Sequence, residues 1–422
     1  PNCAGTYWCQ PAAGNYVHTV NVYWEPTDQV GIQEYLQGKA DFAALLTSDT
    51  PTLLNLQQAG KVGLLNVPTI SIFFDPINMG INMSKISGYY SGSIHLPSDP
   101  GSSNDFFSYV GLRQFMLNAF NYTQDLQQVL TVDGVQFGIN YGGAIPHYMG
   151  NYYASNVTWP AGAPNANPDS VGGAAWWWAQ ANNASSPYYD PLLSQCTTSN
   201  PCTFPVAGEL PAGNIQDLAY PIWEQYVKAI SGGRVTFTEV DLTFTQLVQY
   251  AEESGPGQNP LTIYTLGWLP DYPDPTDYTV PLYSPNATYT APGAVYQALS
   301  QDMASSCPTV GQTDGWGALQ YWANQPGVPQ KCQGFAYDVL TWADAQAGSM
   351  PVGPERTLYY NMASHIANEL GLYLYQFQEQ GVGSYAPWIK PELDQHERRV
   401  GRGWAVRTAA GQRVALGDPG RR

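Results

Sequence analysis

Charge is scarce in this chain. Only 12 % of its 422 residues are charged, and 16 basic residues face 33 acidic ones, for a net charge of −17. So few cations leave no basic footprint for nucleic acid, and the negative balance disfavours an anionic membrane surface. Catalytic signatures are scarce as well. The five His residues (His18, His95, His147, His365, His396) are scattered and form no H-E-x-x-H pair, so each reads as a structural or surface residue. There is no G-x-S-x-G elbow and no phosphate loop; Gly142-Gly143 is a lone pair. No apolar run is long enough to span a bilayer, and no signal peptide is visible. The chain starts abruptly at Pro1, so a further N-terminal region is expected. A pair of glycosidase carboxylates leaves no linear trace, which keeps a secreted carbohydrate-active enzyme open as a reading.

Aromatics are abundant by contrast, with 30 Tyr and 13 Trp. A neutral, aromatic surface suits a secreted protein, and aromatic plates suit sugars or peptides. The acidic balance itself reads as a device for solubility rather than for a cationic ligand. Six cysteines allow many pairings, but proximity favours Cys3 with Cys9, Cys196 with Cys202, and Cys307 with Cys332. None has a C-x-x-C partner or a nearby His, which argues against metal. Disulfides imply an oxidising compartment. Glycosylation sequons at Asn82, Asn121, Asn156, Asn183 and Asn286 agree with export, as frequent random matches also would.

At that length the prior is about two or three lobes. Tyr16–Trp24 alternates as a strand. Asp28–Gly38 reads as a helix, Asp41–Leu46 as a strand, and a helix starts near Thr50. Val62–Val67 and Ile70–Phe74 are further strands, so the opening reads as β-α-β-α-β with a mostly parallel sheet. Phe106–Tyr122 reads as a strong helix continued by Gln124–Leu130, and Val135–Pro168 as a long ordered loop. Ala174–Gln180 is a short helix whose three consecutive Trp cannot share one face. Asn214–Ile230 is an amphipathic helix capped by Asn214, with Pro221 implying a kink or a later start. Val235–Val240, Phe244–Glu253 and Leu261–Leu266 follow as strand, helix and strand. Ala291–Met303 is helical. The Gly- and Gln-rich segment from Cys307 to Cys332 is expected to be a stapled surface flap. Glu355–Leu370 is a helix and Gly371–Phe377 a strand, and the Arg-rich tail from His396 is expected to be loosely ordered.

The stretch that organises the rest is Gly267–Tyr278, GWLPDYPDPTDY. It follows the apolar run Leu261–Leu266 and is stiffened by Pro270, Pro273 and Pro275, which fix φ and donate no hydrogen bond. It carries Trp268, Asp271, Asp274 and Asp277. Three readings stand. It is a rigid loop that holds a polar ligand. It is a proline-rich turn whose aspartates cap turns and the next helix. It is a calcium loop, although the glycine and terminal Glu of an EF-hand are missing.

GWLPDYPDP after an apolar strand resembles the signature of the family 5 extracellular solute-binding proteins of ABC transporters, the oligopeptide- and dipeptide-binding class. Other segments fall in that family's order. Val20–Leu46 looks like its strand–helix–strand ending in G-x-x-D, and Met79–Ser84 (MGINMS) like its hinge-proximal G-F-N segment. Asp105–Asn121 looks like its F-x-D-x-R-V-R-Q-A-L helix, and Glu355–Gln378 like its final helix and return strand. The resemblance covers most of residues 16–395; the loop with its neighbours is fairly specific, and each other segment is weak alone. It implies an α/β, two-lobed, periplasmic-binding-protein-like fold (type II) without enzymatic activity or cofactor. Residues 1–71 would belong to lobe I, 72–371 to a lobe III-like ligand-binding lobe, and 372–422 to a return into lobe I. The hinge would lie near Val67–Ile72 and Gly371–Tyr375, with lobes closing around the ligand.

The implied ligand is an oligopeptide, or an oligosaccharide, delivered from outside the cell to an ABC transporter permease. By motif position Asp271 would pair with a peptide's α-amino group. Trp268 would form a wall, and Gly267 and Leu269 would offer backbone groups, while Asp274 and Asp277 would shape the loop. The sequence departs from the family in two ways. Only about twenty residues precede the segment matching Val20, so the start of the first lobe is expected to be missing, supplied by a separate piece, or lost. The Cys307–Cys332 insertion and the aromatic richness are unlike plain bacterial members and resemble a secreted, archaeal-like protein from a harsh environment. The rival reading is a structural cell-surface or filament-forming protein, self-associating and built on the same fold.

Overall fold

The computed structural model describes residues 19, 21–22, 28–44, 49–98, 106–154, 162–210, 215–253, 258–285, 307–311, 315–386, 390–392, 404–407 and 413–416. The expected pair Cys3 and Cys9, most of the strand Tyr16–Trp24, the sequons at Asn156 and Asn286, the cap Asn214 and the helix Ala291–Met303 lie outside them.

In chain order the main helices are α1 (Asp28–Leu36), α2 (Thr50–Gln58), α3 (Val110–Asn118), α4 (Tyr122–Gln128), α5 (Ala174–Asn182), α6 (Tyr220–Ile230), α7 (Phe244–Ala251), α8 (Thr276–Tyr283), α9 (Trp316–Ala323), α10 (Gln333–Ser349) and α11 (Pro354–Leu370). The main strands are β1 (Phe42–Ala44), β2 (Gly63–Pro76), β3 (Gly138–Ile139), β4 (Cys202–Glu209), β5 (Val235–Leu242), β6 (Ile263–Tyr264), β7 (Leu266–Trp268) and β8 (Tyr373–Tyr385). Three short strands follow, β9 (Lys390–Glu392), β10 (Trp404–Arg407) and β11 (Arg413–Leu416). Among the described residues no helix is long and apolar enough to cross a membrane.

The chain divides into two units. The smaller comprises residues 1–69, 132–137 and 380–422. In it β1 pairs antiparallel with the end of β8, Phe42 opposite Tyr385. Tyr35 of α1, Val62 and Ala386 form its apolar centre. Strands β9, β10 and β11 form an antiparallel sheet, so the tail expected to be loose carries strand backbone at 404–407 and 413–416. The expected parallel opening is corrected here. β1 and β2 take antiparallel partners supplied by distant parts of the chain, β8 and β7, which adjacency in sequence does not reveal. Val62–Val67 and Ile70–Phe74 are one strand, uninterrupted at Pro68.

The larger unit, residues 70–131 and 138–379, holds the main core. Its parallel sheet has the order β5-β4-β6, with Cys202 opposite Val235 and Val206 opposite Ile263. Helix α6 lies on it through Trp223 and Val227, one turn apart and fully buried. The Trp223 ring meets Phe237 edge-on at 5.3 Å, and its Nε1 donates to the Met116 carbonyl at 2.9 Å. Pro221 is tolerated because the helix starts later than expected and places it in the first turn. A capping box between Thr243 and Gln246 opens α7.

The expected helix Phe106–Tyr122 is broken at both ends: a 3-10 turn precedes α3, and Asn121 caps a separate α4. Within α3, Arg113 is wholly buried. It donates to the Leu370 carbonyl at 2.8 Å, the Phe107 carbonyl at 2.8 Å and Gln333 Oε1 at 2.9 Å, which ties α3 to α10 and to the end of α11. Gly371 ends α11 with φ 65°, a left-handed value that favours glycine.

Disulfides join Cys196 to Cys202 and Cys307 to Cys332. The expected surface flap is corrected: Leu319, Trp322 and Val328 are buried in the main core, and Trp322 Nε1 donates to the Pro308 carbonyl at 2.9 Å. Of the three Trp of α5, Trp177 is buried, while Trp176 and Trp178 are half-buried. Asn121 is only 4 % exposed and its Oδ1 accepts the Gln124 amide at 3.0 Å, so this sequon serves as a buried helix cap with no room for a glycan. Asn82 and Asn183 likewise accept local amides, from Ser84 and Ser185.

Several acids are buried in the larger unit. Asp75 is fully enclosed, with the Tyr220 hydroxyl donating to its Oδ1 at 2.6 Å, and burial holds it well above the usual carboxylate range despite that bond. Burial pushes Asp125 up to about 7 and Asp344 up to about 6. The unfolded chain releases these protons near pH 4. Between about pH 4 and 7 the native state therefore binds more protons, and stability falls as pH rises through that window. We expect a higher midpoint of thermal unfolding near pH 4.5 than near pH 8. A midpoint that climbs across this range would refute the assignment.

Candidate functional site

The apolar run before the loop is not one strand. Asn78 anchors its start, its Nδ2 donating to the Leu261 carbonyl at 2.7 Å and its amide to the Thr262 carbonyl at 2.9 Å. Ile263 and Tyr264 then run parallel to β4, and the Thr265 amide bonds the Ala207 carbonyl at 3.1 Å. At Leu266 the chain changes sheets. Leu266, Gly267 and Trp268 run antiparallel to β2, opposite Phe74, Phe73 and Ile72. Gly267 is required there, because a Cβ would stand 2.8 Å from the Phe73 ring, itself stacked on Phe377 at 4.7 Å. No strand among the described residues pairs with the outer edge of β7.

Beyond β7 the chain projects outward. Leu269 is 72 % exposed and Tyr272 52 %; Asp271 is exposed, while Pro270 and Pro275 are buried anchors. The other two aspartates hold the loop in shape. Asp277, buried in the first turn of α8, accepts the amides of Asp271 and Tyr272 on its Oδ2. Asp274 accepts the Thr276 amide at 3.0 Å and the Thr276 hydroxyl at 2.6 Å. Both Asp274 oxygens are also gripped by Arg356, at 2.8 and 2.7 Å. Burial works to raise the Asp274 carboxyl, but the Arg356 and Thr276 hydrogen bonds outweigh it and hold the group below the usual range.

Arg356 is in turn positioned by its own surroundings. Its Nε donates to the Ala347 carbonyl at 3.0 Å at the end of α10, and its guanidinium lies over Tyr360 and Tyr152 at 5.3 and 5.6 Å. The Tyr360 hydroxyl meets Thr276 Oγ1 at 2.9 Å, and the Tyr278 hydroxyl donates to the Ile70 carbonyl at 2.8 Å. These bonds tie the loop to α10, α11 and β2.

The calcium-loop reading is thereby corrected, since Arg356 and backbone amides occupy the carboxylates that an ion would need. The capping reading accounts for Asp274 and Asp277. It leaves Asp271, whose carboxylate makes no hydrogen bond or ion pair among the described residues. The structure thus brings Gly267, Trp268, Leu269 and Asp271 together on one strand end, with Gly267, Leu269 and Asp271 exposed and Trp268 half-buried. Sequence reasoning missed Arg356, Tyr360 and Tyr152. The available signal was an Arg on a helix in a chain with few cations.

Solved structures resemble this fold. One is the ABC transporter substrate-binding protein CtaP of Listeria monocytogenes, with a TM-score of 0.55 at 10 % identity over 87 % of this chain and 55 % of that one. Another is OppA of Haemophilus influenzae in complex with RPPGFSPFR, with a TM-score of 0.51 at 13 % identity over 86 % and 53 %. The fold is that of the ABC-transporter substrate-binding proteins. DppA of Helicobacter pylori, in complex with the peptide STSA, shares it with a TM-score of 0.50 at 10 % identity over 87 % and 52 %. The chain spans about half the length of these substrate-binding structures. No protein-family model and no curated protein sequence matches it.

Arg356→Met removes the grip on Asp274 while keeping the bulk of the side chain. It is expected to cost about 2–4 kcal/mol of stability and to speed amide exchange at Tyr272, Asp274 and Thr276. Unchanged exchange at those amides would show that the prolines alone hold the loop.

Proposed function

We propose that this chain captures peptides outside the cell and delivers them to the permease of an ABC transporter, binding them without chemical change. The observation that carries this reading is the rigid strand end of Gly267–Asp271, with an edge that no described strand pairs and an exposed carboxylate beside it. An extended peptide can add its backbone to such an edge. Asp271 then faces the α-ammonium in a charge-assisted hydrogen bond, and Trp268 and Leu269 supply apolar walls. The fold supports the reading, as do the peptides held by OppA and DppA in their structures. Tyr272, exposed next to Asp271, joins the candidate contacts.

Native mass spectrometry of the protein as isolated, followed by denaturation, identifies what it carries. A released peptide supports the proposal; a released oligosaccharide changes the ligand class, and a bare chain found only in large assemblies favours a structural role. With the released peptide as titrant, Asp271→Ala is expected to weaken binding by about 1.5–3 kcal/mol in calorimetry. Unchanged affinity would remove Asp271 from the site.

A further inference from the structure

The parallel sheet holds a second cluster of acids. Along β5 one face reads Val235, Phe237, Glu239, Asp241. The first two are buried under α6, so the same face turns from apolar to acidic within one strand. Like charges two residues apart on one face repel each other. Asp217, in the turn before α6, brings a third carboxylate to them, and one oxygen from each of the three lies within 4.8 Å of the others. Among the described residues no Lys, Arg or His forms an ion pair with any of them.

The burial of Asp217 is an independent observation. It is 1 % exposed; its Oδ2 accepts the Glu209 amide at 3.1 Å, while its Oδ1 is buried with no hydrogen-bond partner. Gly208, opposite Asp241 in the sheet, makes the room: a Cβ there would stand 2.8 Å from the Asp217 carboxyl carbon. A buried carboxylate is paired with a cation, kept protonated by burial or bound to metal, and no pairing cation is present among the described residues. The cluster also lies at the carboxyl ends of parallel strands, where open α/β sheets bind ligands.

We infer that Asp217, Glu239 and Asp241 form a binding site for a hard divalent cation, calcium by preference. All three donors are carboxylate oxygens, which suit calcium rather than softer metals. Calcium–oxygen distances of about 2.3–2.6 Å hold ligands up to about 5 Å apart, so three oxygens within 4.8 Å of one another can share one ion, whereas magnesium demands a more regular cage and gives up its water reluctantly. Asp217 seals the inner side, and the half-buried Glu239 and Asp241 leave the outer side to water. The site shares no residue with the Gly267–Asp271 strand end and does not depend on the peptide reading.

The test uses the intact chain, stripped with chelator and titrated separately with calcium and magnesium chloride by calorimetry and thermal unfolding. Calcium is expected to bind saturably, one ion per chain, raise the unfolding midpoint and outcompete magnesium. Glu239→Gln and Asp241→Asn keep shape and hydrogen-bonding capacity and relieve repulsion. Each is expected to unfold in chelator no earlier than the parent chain and to bind calcium at least about tenfold more weakly. Asp271→Ala is expected to leave calcium binding unchanged. Absence of a saturable response to calcium overturns the inference, as does calcium affinity that is the same in the parent chain and both variants. A response to lysine-containing peptides but not to metal ions also overturns it, marking an ammonium site instead.

Discussion

The two-pronged contact between Arg356 and Asp274 governs the shape of the candidate site. A guanidinium matches a carboxylate in plane, so this contact fixes orientation as well as distance. One prong alone would let the loop pivot. With both, and with Thr276 bonded to the same carboxylate, Asp274 becomes a fixed point from which the outward turn is built. Arg356 is itself held by the end of α10 and by two aromatic rings, so loop geometry is inherited from helix packing in the main core. A low-charge chain makes such a pair stand out, because few other cations compete for the carboxylate.

The second constraint is the change of sheet between Tyr264 and Leu266. A strand that stayed in the parallel sheet would run on beside β4, at the end of that sheet's order. Crossing to β2 puts Leu266–Trp268 at a sheet edge, where backbone groups face outward. The crossing depends on Gly267, which lets the backbone lie against the Phe73 ring. The same glycine that reads in sequence as a ligand contact therefore has a packing reason of its own, which follows from the absence of a side chain.

Much of this was legible in the sequence where local rules suffice. Helices with a cap, a proline in the first turn or a terminal glycine appear within a few residues of where the pattern places them, as at α7 and α11, while α6 keeps its expected end at Ile230 but starts only at Tyr220. The antiparallel sheet was not legible, because β1 and β2 pair with strands hundreds of residues away. The single apolar run Leu261–Leu266 hides a change of partner that no periodicity encodes. Helix α10 was missed although Ala336, Leu340, Ala343 and Ala347 recur at helical spacing. Its alanines and scattered polar residues weaken the contrast between faces. The segment between Cys307 and Cys332 was misread because Gly and Gln suggest a surface, while Leu319, Trp322 and Val328 among them decide the burial.

The fate of the three loop aspartates also bears on what the site does. Catalysis by carboxylates needs two of them with distinct proton affinities, placed on either side of a reacting bond. Here Asp277 is consumed by backbone amides and Asp274 by Arg356. A carboxylate whose oxygens are locked into such bonds is not free to attack. Asp271 alone remains available on this loop, and a single exposed acid beside a sheet edge can recognise positive charge and little else. The rigidity that removes two aspartates from chemistry also holds the backbone of the third, whose amide bonds Asp277. On this strand end, then, the physical arrangement favours recognition over reaction.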